Sequence, residues 1–262
     1  MQYSFGSGED MKKNNIRLSA VVIAKNEGER IGTCLDALAF ADEIIVVDNG
    51  SEDDTKRIAQ SHGGSIISLH ANNFAELRNT ALKTAKGTWI LYVDADELVS
   101  PELASALSRI VEKTESEHGA YEVFRKNYYL GYPWPAGEWM LRLFRKETIV
   151  GWEGTLHETP KVKGSIGRLS GQLLHDTHRT LEQMVDKTNE WSDIEADLRL
   201  SVHHPRVTWW RIIRVMLTGF WGSYVGQGGW RAGTVGWIES MYQGFSYFIT
   251  YAKLWEKQQK NS

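Results

Sequence analysis

The sequence predicts an α/β fold built on a doubly wound, mostly parallel sheet. Short apolar runs rich in β-branched residues alternate with helical patterns, and each run ends in polar, turn-forming residues, as buried parallel strands do. The chain has 262 residues, of which 42% are hydrophobic, enough to bury a sizeable core. Its formal net charge of −3 argues against a protein that coats nucleic acid, so we predict no nucleic-acid partner.

The alternation of strands and helices covers residues 16–115. Apolar residues recur at helical spacing over 29–40, and Asp53 or Asp54 can cap the next helix. Pro101 stands early in the last helix, where its missing N–H costs nothing. The predicted strands are LSAVVIA at 18–24, EIIVVD at 43–48, SIISL at 65–69 and WILYVDADE at 89–97, and the predicted helices cover 29–40, 53–59, 74–85 and 100–114.

After Gly119 the pattern changes. Two short strands, AYEVFRKNYYL and MLRLFRK, flank the segment GYPWPAGEW, which predicts mixed β structure. An amphipathic helix is predicted at 180–200, and aromatic helices interrupted by glycines at 207–255. The first 15 residues have neither the basic nor the apolar segment of a secretory signal, so we expect a tag and a flexible lead-in there.

The usual nucleotide-binding loops are absent from the sequence. The first strand-to-helix turn reads AKNEGERIG, with charged residues where a dinucleotide fold needs glycine, and the chain has no P-loop motif. The phosphates of any nucleotide must therefore be held in another way, for example by a divalent cation on carboxylates. Asp94 and Asp96 are candidate ligands for Mg²⁺ or Mn²⁺, because alternate residues of an extended strand share a face.

Four short motifs together resemble the family-2 glycosyltransferases of the GT-A fold. They are AKNE at 24–27, DNGS at 48–51, Arg78-Asn79 and Asp94-Ala95-Asp96, and the resemblance covers residues 18–97. It implies that the first strand end and Asp48 hold the nucleotide, that Arg78 contacts the nucleotide and its diphosphate, and that the two aspartates form a sugar and metal pair. The residues implied for nucleotide-sugar binding are thus Ala24, Glu27, Asp48, Arg78 and Asp94.

A looser resemblance extends along the second half of the chain. WEGTLHE at 152–158 and LLHDTHRTLEQMVDK at 173–187 are similar to the group of lipopolysaccharide inner-core β-1,4-glucosyltransferases. A zinc protease is excluded, because Lys161 stands at the last position of HExxH and Pro160 breaks the helix that this motif needs. The resemblance implies UDP-glucose as donor and a lipid-linked core saccharide as acceptor. A capsule, exopolysaccharide or protein acceptor is the alternative, as is a non-catalytic protein that binds nucleotide sugars.

Inverting sugar transfer needs a general base to deprotonate the acceptor hydroxyl. The family resemblance places this base after the Asp-x-Asp motif, where Glu158 is the first candidate, Glu153 the second and Asp176 a distant third. His157 is expected to orient a phosphate or the base. His175 is a candidate third metal ligand beside Asp94 and Asp96, since imidazole suits Mn²⁺ better than Mg²⁺, or else a hydrogen-bonded core histidine.

The C-terminal segment from Arg206 onward carries seven basic residues against two acidic ones. A stripe of apolar residues with two arginines between them predicts an interfacial helix on an anionic membrane surface, or alternatively a face that packs on the rest of the protein or dimerises. The stripe comprises Trp209, Trp210, Ile213, Met216, Leu217 and Phe220. No uninterrupted apolar run reaches 18 residues, so we predict no membrane span.

The sequence predicts a catalytic domain in two halves, a C-terminal extension and a cellular location. We expect a GT-A catalytic domain at 16–180, with a nucleotide-sugar half at 16–115 and an acceptor half at 116–180, and a helical extension at 181–262. The single cysteine, Cys34, suits a reducing compartment. The predicted location is therefore cytoplasmic, peripheral on the inner face of the cytoplasmic membrane.

Overall fold

The computed structural model describes residues 16–71, 73–113, 116–154, 158–177 and 179–260; the predicted lead-in at 1–15 lies outside them. The strands are β1 (Leu18–Ala24), β2 (Glu43–Asp48), β3 (Ser65–Ser68), β4 (Trp89–Asp94), β5 (Glu97–Val99), β6 (Ala120–Tyr129), β7 (Tyr132–Arg145), β8 (Ile149–Glu153), β9 (Thr159–Val162) and β10 (Ile166–Thr177). The helices are α1 (Ile31–Asp36), α2 (Thr55–Ser61), α3 (Phe74–Thr84), α4 (Pro101–Val111), α5 (Leu181–Ser201), α6 (Trp209–Trp221) and α7 (Gly233–Lys260). A π-helical turn, Gly222–Gly226, and a 3₁₀ turn, Gly229–Ala232, join α6 to α7.

The chain divides into two compact units. As far as they are described, the first comprises Met1–Ala95, Ala104–Tyr121 and Leu141–Arg168, and the second comprises Asp96–Leu103, Glu122–Met140 and Leu169–Ser262. Segments from three parts of the chain combine in the second unit, and the predicted division after residues 115 and 180 stays a prediction.

The first unit contains the parallel sheet that the sequence predicts. Its strand order is β3-β2-β1-β4, all parallel, followed by the end of β7, which runs antiparallel to β4. The observed β1 and β2 have the predicted bounds. All seven residues of β1 are buried, which explains why this strand reads as a continuous apolar run. The predicted α/β class with a mostly parallel sheet is confirmed.

One predicted strand is too long. The sequence predicts a strand through Glu97, but β4 ends at Asp94, and Ala95 and Asp96 form a turn. Glu97–Val99 then form β5, which pairs antiparallel with β10. The alternation of side chains along an extended strand therefore stops at Asp94, and it gives no reason for Asp94 and Asp96 to share a face.

Two further elements differ from the prediction. The helix expected at 29–40 is only the short α1, followed by turns. The segment GYPWPAGEW, expected to separate two strands, lies largely within β7. Pro133 and Pro135 lie within this strand and do not interrupt it.

The second unit combines mixed β structure with the C-terminal helices. Its strand order is β7-β6-β10-β5, and α7 packs on both α5 and α6. Gly219 and Gly244 permit the close approach of α6 and α7: a Cβ on Gly219 would lie 2.4 Å from the Tyr247 ring. Within the described residues, no helix is both long enough and apolar enough to cross a bilayer.

Candidate active site

The carboxyl ends of three neighbouring strands bring predicted site residues to one edge of the first unit. The register of β1 pairs Ala24 with Asp48 on one side and Ile23 with Asp94 on the other. Ligands of open α/β sheets bind at this edge. The strand topology therefore places Ala24, Asp48 and Asp94 where a nucleotide would be expected.

Hydrogen bonds join the loops that follow β1 and β2. The Asn26 N–H donates to Ser51 Oγ at 2.9 Å, and the Glu27 N–H donates to Thr55 Oγ1 at 2.8 Å. Asn26 also accepts from the Glu52 N–H at 2.8 Å through Oδ1. The side chain of Glu27 is 22% exposed and pairs with Arg30. The two loops are thus held together without a glycine-rich phosphate loop.

Asp48 is fully buried at the end of β2. Its carboxylate accepts from the N–H groups of Gly50 and Ser51 at 3.2 and 3.3 Å, and Lys56 Nζ lies 3.7 Å away. These contacts fix the turn after the strand. They also give the buried carboxylate of Asp48 its hydrogen-bond and charge partners within the protein. Its predicted contact with a base or ribose stays a prediction.

Asp94 is held between two buried arginines. Arg78 Nη2 donates to Oδ1 and Arg142 Nη2 donates to Oδ2, each at 2.9 Å. Burial raises the pKa of the Asp94 carboxyl, but the charges and hydrogen bonds of Arg142 and Arg78 outweigh burial and hold the pKa well below its usual range. Asp94 is therefore ionised at neutral pH.

Arg78 is the centre of a cluster, called the Arg78 cluster here, that also contains Asp94, Arg142, Trp152 and Glu158. It is 4% exposed, and its Nε donates to Glu158 Oε1 at 3.2 Å. Its guanidinium carbon lies 4.8 Å from the centroid of the Trp152 ring, a cation–π contact. Buried Nη1 has no hydrogen-bond partner among the described residues. A buried guanidinium with an unsatisfied N–H donor is suited to bind an anion such as a phosphate.

The candidate bases lie in different surroundings. Glu158 has an 18% exposed side chain beside Arg78, whereas Glu153 is 63% exposed and pairs with Lys161 at 2.7 Å. Asp176 is 39% exposed and pairs with Arg179. Only Glu158 among these three contacts the Arg78 cluster within the part of the chain that the structure describes. His157 lies outside the described residues.

A second cluster forms within the second unit around Asp96. His175 Nε2 lies 3.3 Å from Asp96 Oδ2, and His175 Nδ1 lies 2.8 Å from Asn127 Oδ1. The amide oxygen of Asn127 accepts a hydrogen bond from the Nδ1–H group, which directs Nε2 toward Asp96. A carboxylate and an oriented imidazole are ligands that Mn²⁺ accepts. Among the described residues, no three His, Cys, Asp or Glu side chains gather in a way that would hold a metal ion.

A cavity of about 350 Å³ adjoins this cluster within the second unit. It is lined by polar and aromatic side chains, among them Arg125, Asn127, Tyr129, Glu138 and His175. Arg125 pairs with Glu138, and Arg125 and Asn127 hold the pKa of Glu138 below its ordinary value against the effect of burial, which raises it.

Comparison with known proteins identifies the family. A family model described as glycosyl transferase family 2 matches residues 19–163. The chain belongs to this family. The resemblance that the sequence motifs carry is confirmed, and the protein is a glycosyltransferase.

Relatives align over nearly the whole glycosyltransferase. It is 29% identical over 252 residues to LpsC, a lipopolysaccharide core biosynthesis glycosyltransferase of Rhizobium meliloti, and the alignment covers 92% of each chain. It is 27% identical over 254 residues to an uncharacterized glycosyltransferase of Rickettsia prowazekii, covering 91% of this chain and 86% of the relative. Among solved structures, S. aureus TarS 1-349 in complex with UDP-GlcNAc aligns with a TM-score of 0.47 and 13% identity, covering 94% of this chain and 93% of TarS.

Three residues of these clusters were not predicted from the sequence of the glycosyltransferase: Arg142, Trp152 and Asn127. Arg142 is 2% exposed and interrupts the apolar run MLRLF, and a charged residue inside a buried strand is a signal that could have been used. Trp152 lies in the motif WEGTLHE, but no spacing rule predicts its contact with Arg78. Asn127 lies 48 residues before its partner His175 and carries no sequence signal.

Replacement of Arg142 by Leu is expected to lower the free energy of unfolding of the glycosyltransferase by about 2–3 kcal/mol at pH 7, because the Asp94 charge keeps only one arginine. The folded pKa of Asp94 is depressed, so its stabilising contribution is present above the unfolded pKa of about 4 and is lost as the pH falls through the folded value. Loss of the Arg142 charge should raise the pKa of Asp94 in the folded variant, so that Asp94 takes up a proton at a higher pH than in the wild type, and urea unfolding at pH 7 and pH 3 should then show a smaller deficit at the lower pH.

A deficit of equal size at both pH values would assign the loss to packing rather than to charge. Arg142→Lys is the matched control. It keeps the positive charge beside Asp94 but loses the planar fork of donors, so it should destabilise the protein less than Arg142→Leu.

Proposed function

We propose that this glycosyltransferase is metal-dependent and inverting, and that it transfers glucose from UDP-glucose to the core saccharide of lipopolysaccharide. The observation that carries the metal dependence is the pairing of Asp96 with His175, 79 residues apart in the chain, at 3.3 Å. The acceptor class is supported by the similarity to LpsC, whose name assigns it to lipopolysaccharide core biosynthesis.

Donor binding is assigned to the first unit. Glu158 and Asp94 fix the Arg78 guanidinium from two sides, and its buried Nη1 is the donor proposed to meet a diphosphate oxygen. Asp48, Ala24 and Glu27 are proposed to line the nucleoside, as the order of the strands supports. Arg78 and Arg142 each donate a hydrogen bond to one carboxylate oxygen of Asp94. Asp94 is therefore proposed to orient Arg78, and through its position at the strand end also the sugar.

Metal binding is assigned to Asp96 and His175, with Asn127 as the residue that orients the imidazole. A bound Mn²⁺ or Mg²⁺ would neutralise the charge that develops on the diphosphate leaving group. Two protein ligands would leave positions on such an ion open for other oxygen ligands. The role predicted for Asp94 as a metal ligand is less well supported, because its partners are two cations.

Glu158 is proposed as the general base. It would accept the proton of the acceptor hydroxyl while the hydroxyl oxygen attacks the anomeric carbon and the bond from this carbon to the phosphate oxygen breaks, so that UDP leaves with the electron pair. The hydrogen bond from Arg78 Nε to Glu158 Oε1 orients the Glu158 side chain. His157 retains its proposed role in orienting the base or a phosphate.

The proposed location is the cytoplasmic face of an anionic membrane, where lipid-linked core saccharides would be presented. The basic C-terminal segment supports this proposal, because no acidic residue stands between Arg199 and Glu239.

Calorimetric binding of UDP, GDP, CMP and dTDP, each with and without Mn²⁺, tests the proposal. We expect UDP to bind most tightly of the four, and much more tightly with Mn²⁺ than without it, because a bound cation would add to the attraction between the protein and the diphosphate. If none of the four nucleotides binds with Mn²⁺ present, the proposed donor site is wrong.

A further inference from the structure

The C-terminal helices expose an apolar surface that the catalytic proposal does not use. We call it the aromatic surface; each of its ten side chains is between 37% and 75% exposed. It comprises Trp209, Trp210, Ile213, Leu217 and Trp221 on α6, and Trp237, Met241, Phe245, Phe248 and Trp255 on α7.

Helical spacing places these residues on one face of each helix. On α6 they lie opposite the buried Val215 and Gly219, which face α7. On α7 the intervals of three, four and seven residues keep the exposed side chains in one stripe that contains no charged residue. Met216 and Phe220, expected in the exposed stripe from the sequence, are partly buried instead, because α7 packs beside them.

An aromatic cluster joins the two faces. The ring centroid of Trp237 on α7 lies 5.2 Å from that of Phe220 and 5.6 Å from that of Tyr224. Trp221 in turn lies 5.1 Å from Phe220. The exposed faces of α6 and α7 are therefore continuous, and they form one surface rather than two isolated stripes.

Three arginines border the aromatic surface. Arg211 and Arg214 lie over the Trp210 ring at 5.6 and 5.7 Å, and Arg231 lies over Trp230 at 5.0 Å. None of these three arginines forms an ion pair with another described residue. The 39 positions from 200 to 238 contain no aspartate or glutamate that could neutralise them.

We propose that the aromatic surface docks on an anionic lipid bilayer, with the arginines among the headgroups. Tryptophan and arginine side chains suit this layer, because each has an apolar body and a polar end. A second copy of the chain fits less well, since a two-fold interface would bring the unpaired arginines toward their own copies. The inference rests on the proposed function for the location of the acceptor, and it adds the surface that binds the membrane.

Flotation of the full-length protein tests the inference. The vesicles contain phosphatidylethanolamine with phosphatidylglycerol, or phosphatidylcholine alone, at low and high salt. The wild-type protein should float with the anionic vesicles, less so at high salt, and weakly with phosphatidylcholine. Equal flotation with both kinds of vesicle at every salt concentration, or none with either, would overturn the inference.

Two double variants separate charge from apolar contact. Arg214→Gln with Arg231→Gln should weaken binding to anionic vesicles about 25-fold at low salt, and far less at high salt. Trp209→Ser with Leu217→Ser should weaken binding at least about tenfold at either salt concentration, because apolar insertion is not screened. Tyr132→Ser, an exposed aromatic residue on β7, and Arg57→Gln on α2 are the matched controls and should bind as the wild type does.

Two further measurements keep the inference distinct from the proposed function. Calorimetric nucleotide binding should be the same in both double variants as in the wild type, so a failure of the donor site leaves the flotation result interpretable. Sedimentation velocity without lipid should show no dimer. A dimer that Trp209→Ser with Leu217→Ser dissociates would assign the aromatic surface to a second copy and overturn the membrane assignment.

Discussion

Replacement of Glu158 by Gln is expected to lower kcat at least about 100-fold, the usual scale for loss of a general base. Glutamine retains an oxygen that can accept from Arg78 Nε, so the Arg78 cluster and donor binding should survive the change. Nucleotide binding measured by calorimetry should therefore be unchanged. Single-turnover transfer to a core saccharide measures the chemical step itself and should show the whole loss.

Glu153→Gln is the matched control for this variant. Glu153 is exposed and pairs with Lys161 on the neighbouring strand β9, so its replacement should leave the transfer rate close to that of the wild type. If Glu153→Gln were inactive and Glu158→Gln active, the role of general base would move to Glu153. Activity in both variants would move it to Asp176, the remaining candidate, and Asp176→Asn would then be the variant to measure.

The sequence predicts the first half of the fold well for a physical reason. Buried parallel strands are continuous apolar runs with polar ends, so LSAVVIA and EIIVVD reveal both their type and their bounds. The break after Asp94 could not be predicted in this way. Residues 97–99 continue the strand pattern, and only pairing of β5 with a distant partner, β10, decides that they form a separate strand.

The candidate site shows the same division between local and distant information. Arg78 and Asp94 are predicted by motif and do form an ion pair, since α3 leads directly into β4. Arg142 is contributed from a strand 48 residues beyond Asp94, and Glu158 reaches Arg78 across 80 residues. Spacing along the chain carries no information about such contacts. Asp96 and His175 can be predicted to lie together only because carboxylate and imidazole are the ligand types that a metal site requires.

Replacement of Asp96 by Ala is expected to abolish metal-dependent transfer, with a loss of about 10³-fold, because stabilisation of the leaving diphosphate by a cation contributes several kcal/mol. The fold should survive. The side chain of Asp96 is 18% exposed, and the hydrogen bond that the Asp176 N–H donates to the backbone oxygen of Asp96 does not depend on the side chain. Transfer rate as a function of Mn²⁺ concentration and thermal unfolding together check both expectations.

The Asp96→Ala prediction separates the two proposed sites. Loss of the metal ligand should remove the Mn²⁺-dependent part of UDP binding, whereas Arg78 and Asp94, unchanged in this variant, should retain a weak metal-independent part. His175→Gln should show the same pattern in milder form, because Asp96 remains as a ligand. Asp176→Ala removes a half-buried carboxylate that follows His175 in the chain and pairs with Arg179, and it should keep the wild-type dependence on Mn²⁺. A wild-type response to Mn²⁺ in Asp96→Ala would place the cation on other ligands, and the oriented pair of Asp96 and His175 would then be a structural ion pair of the second unit.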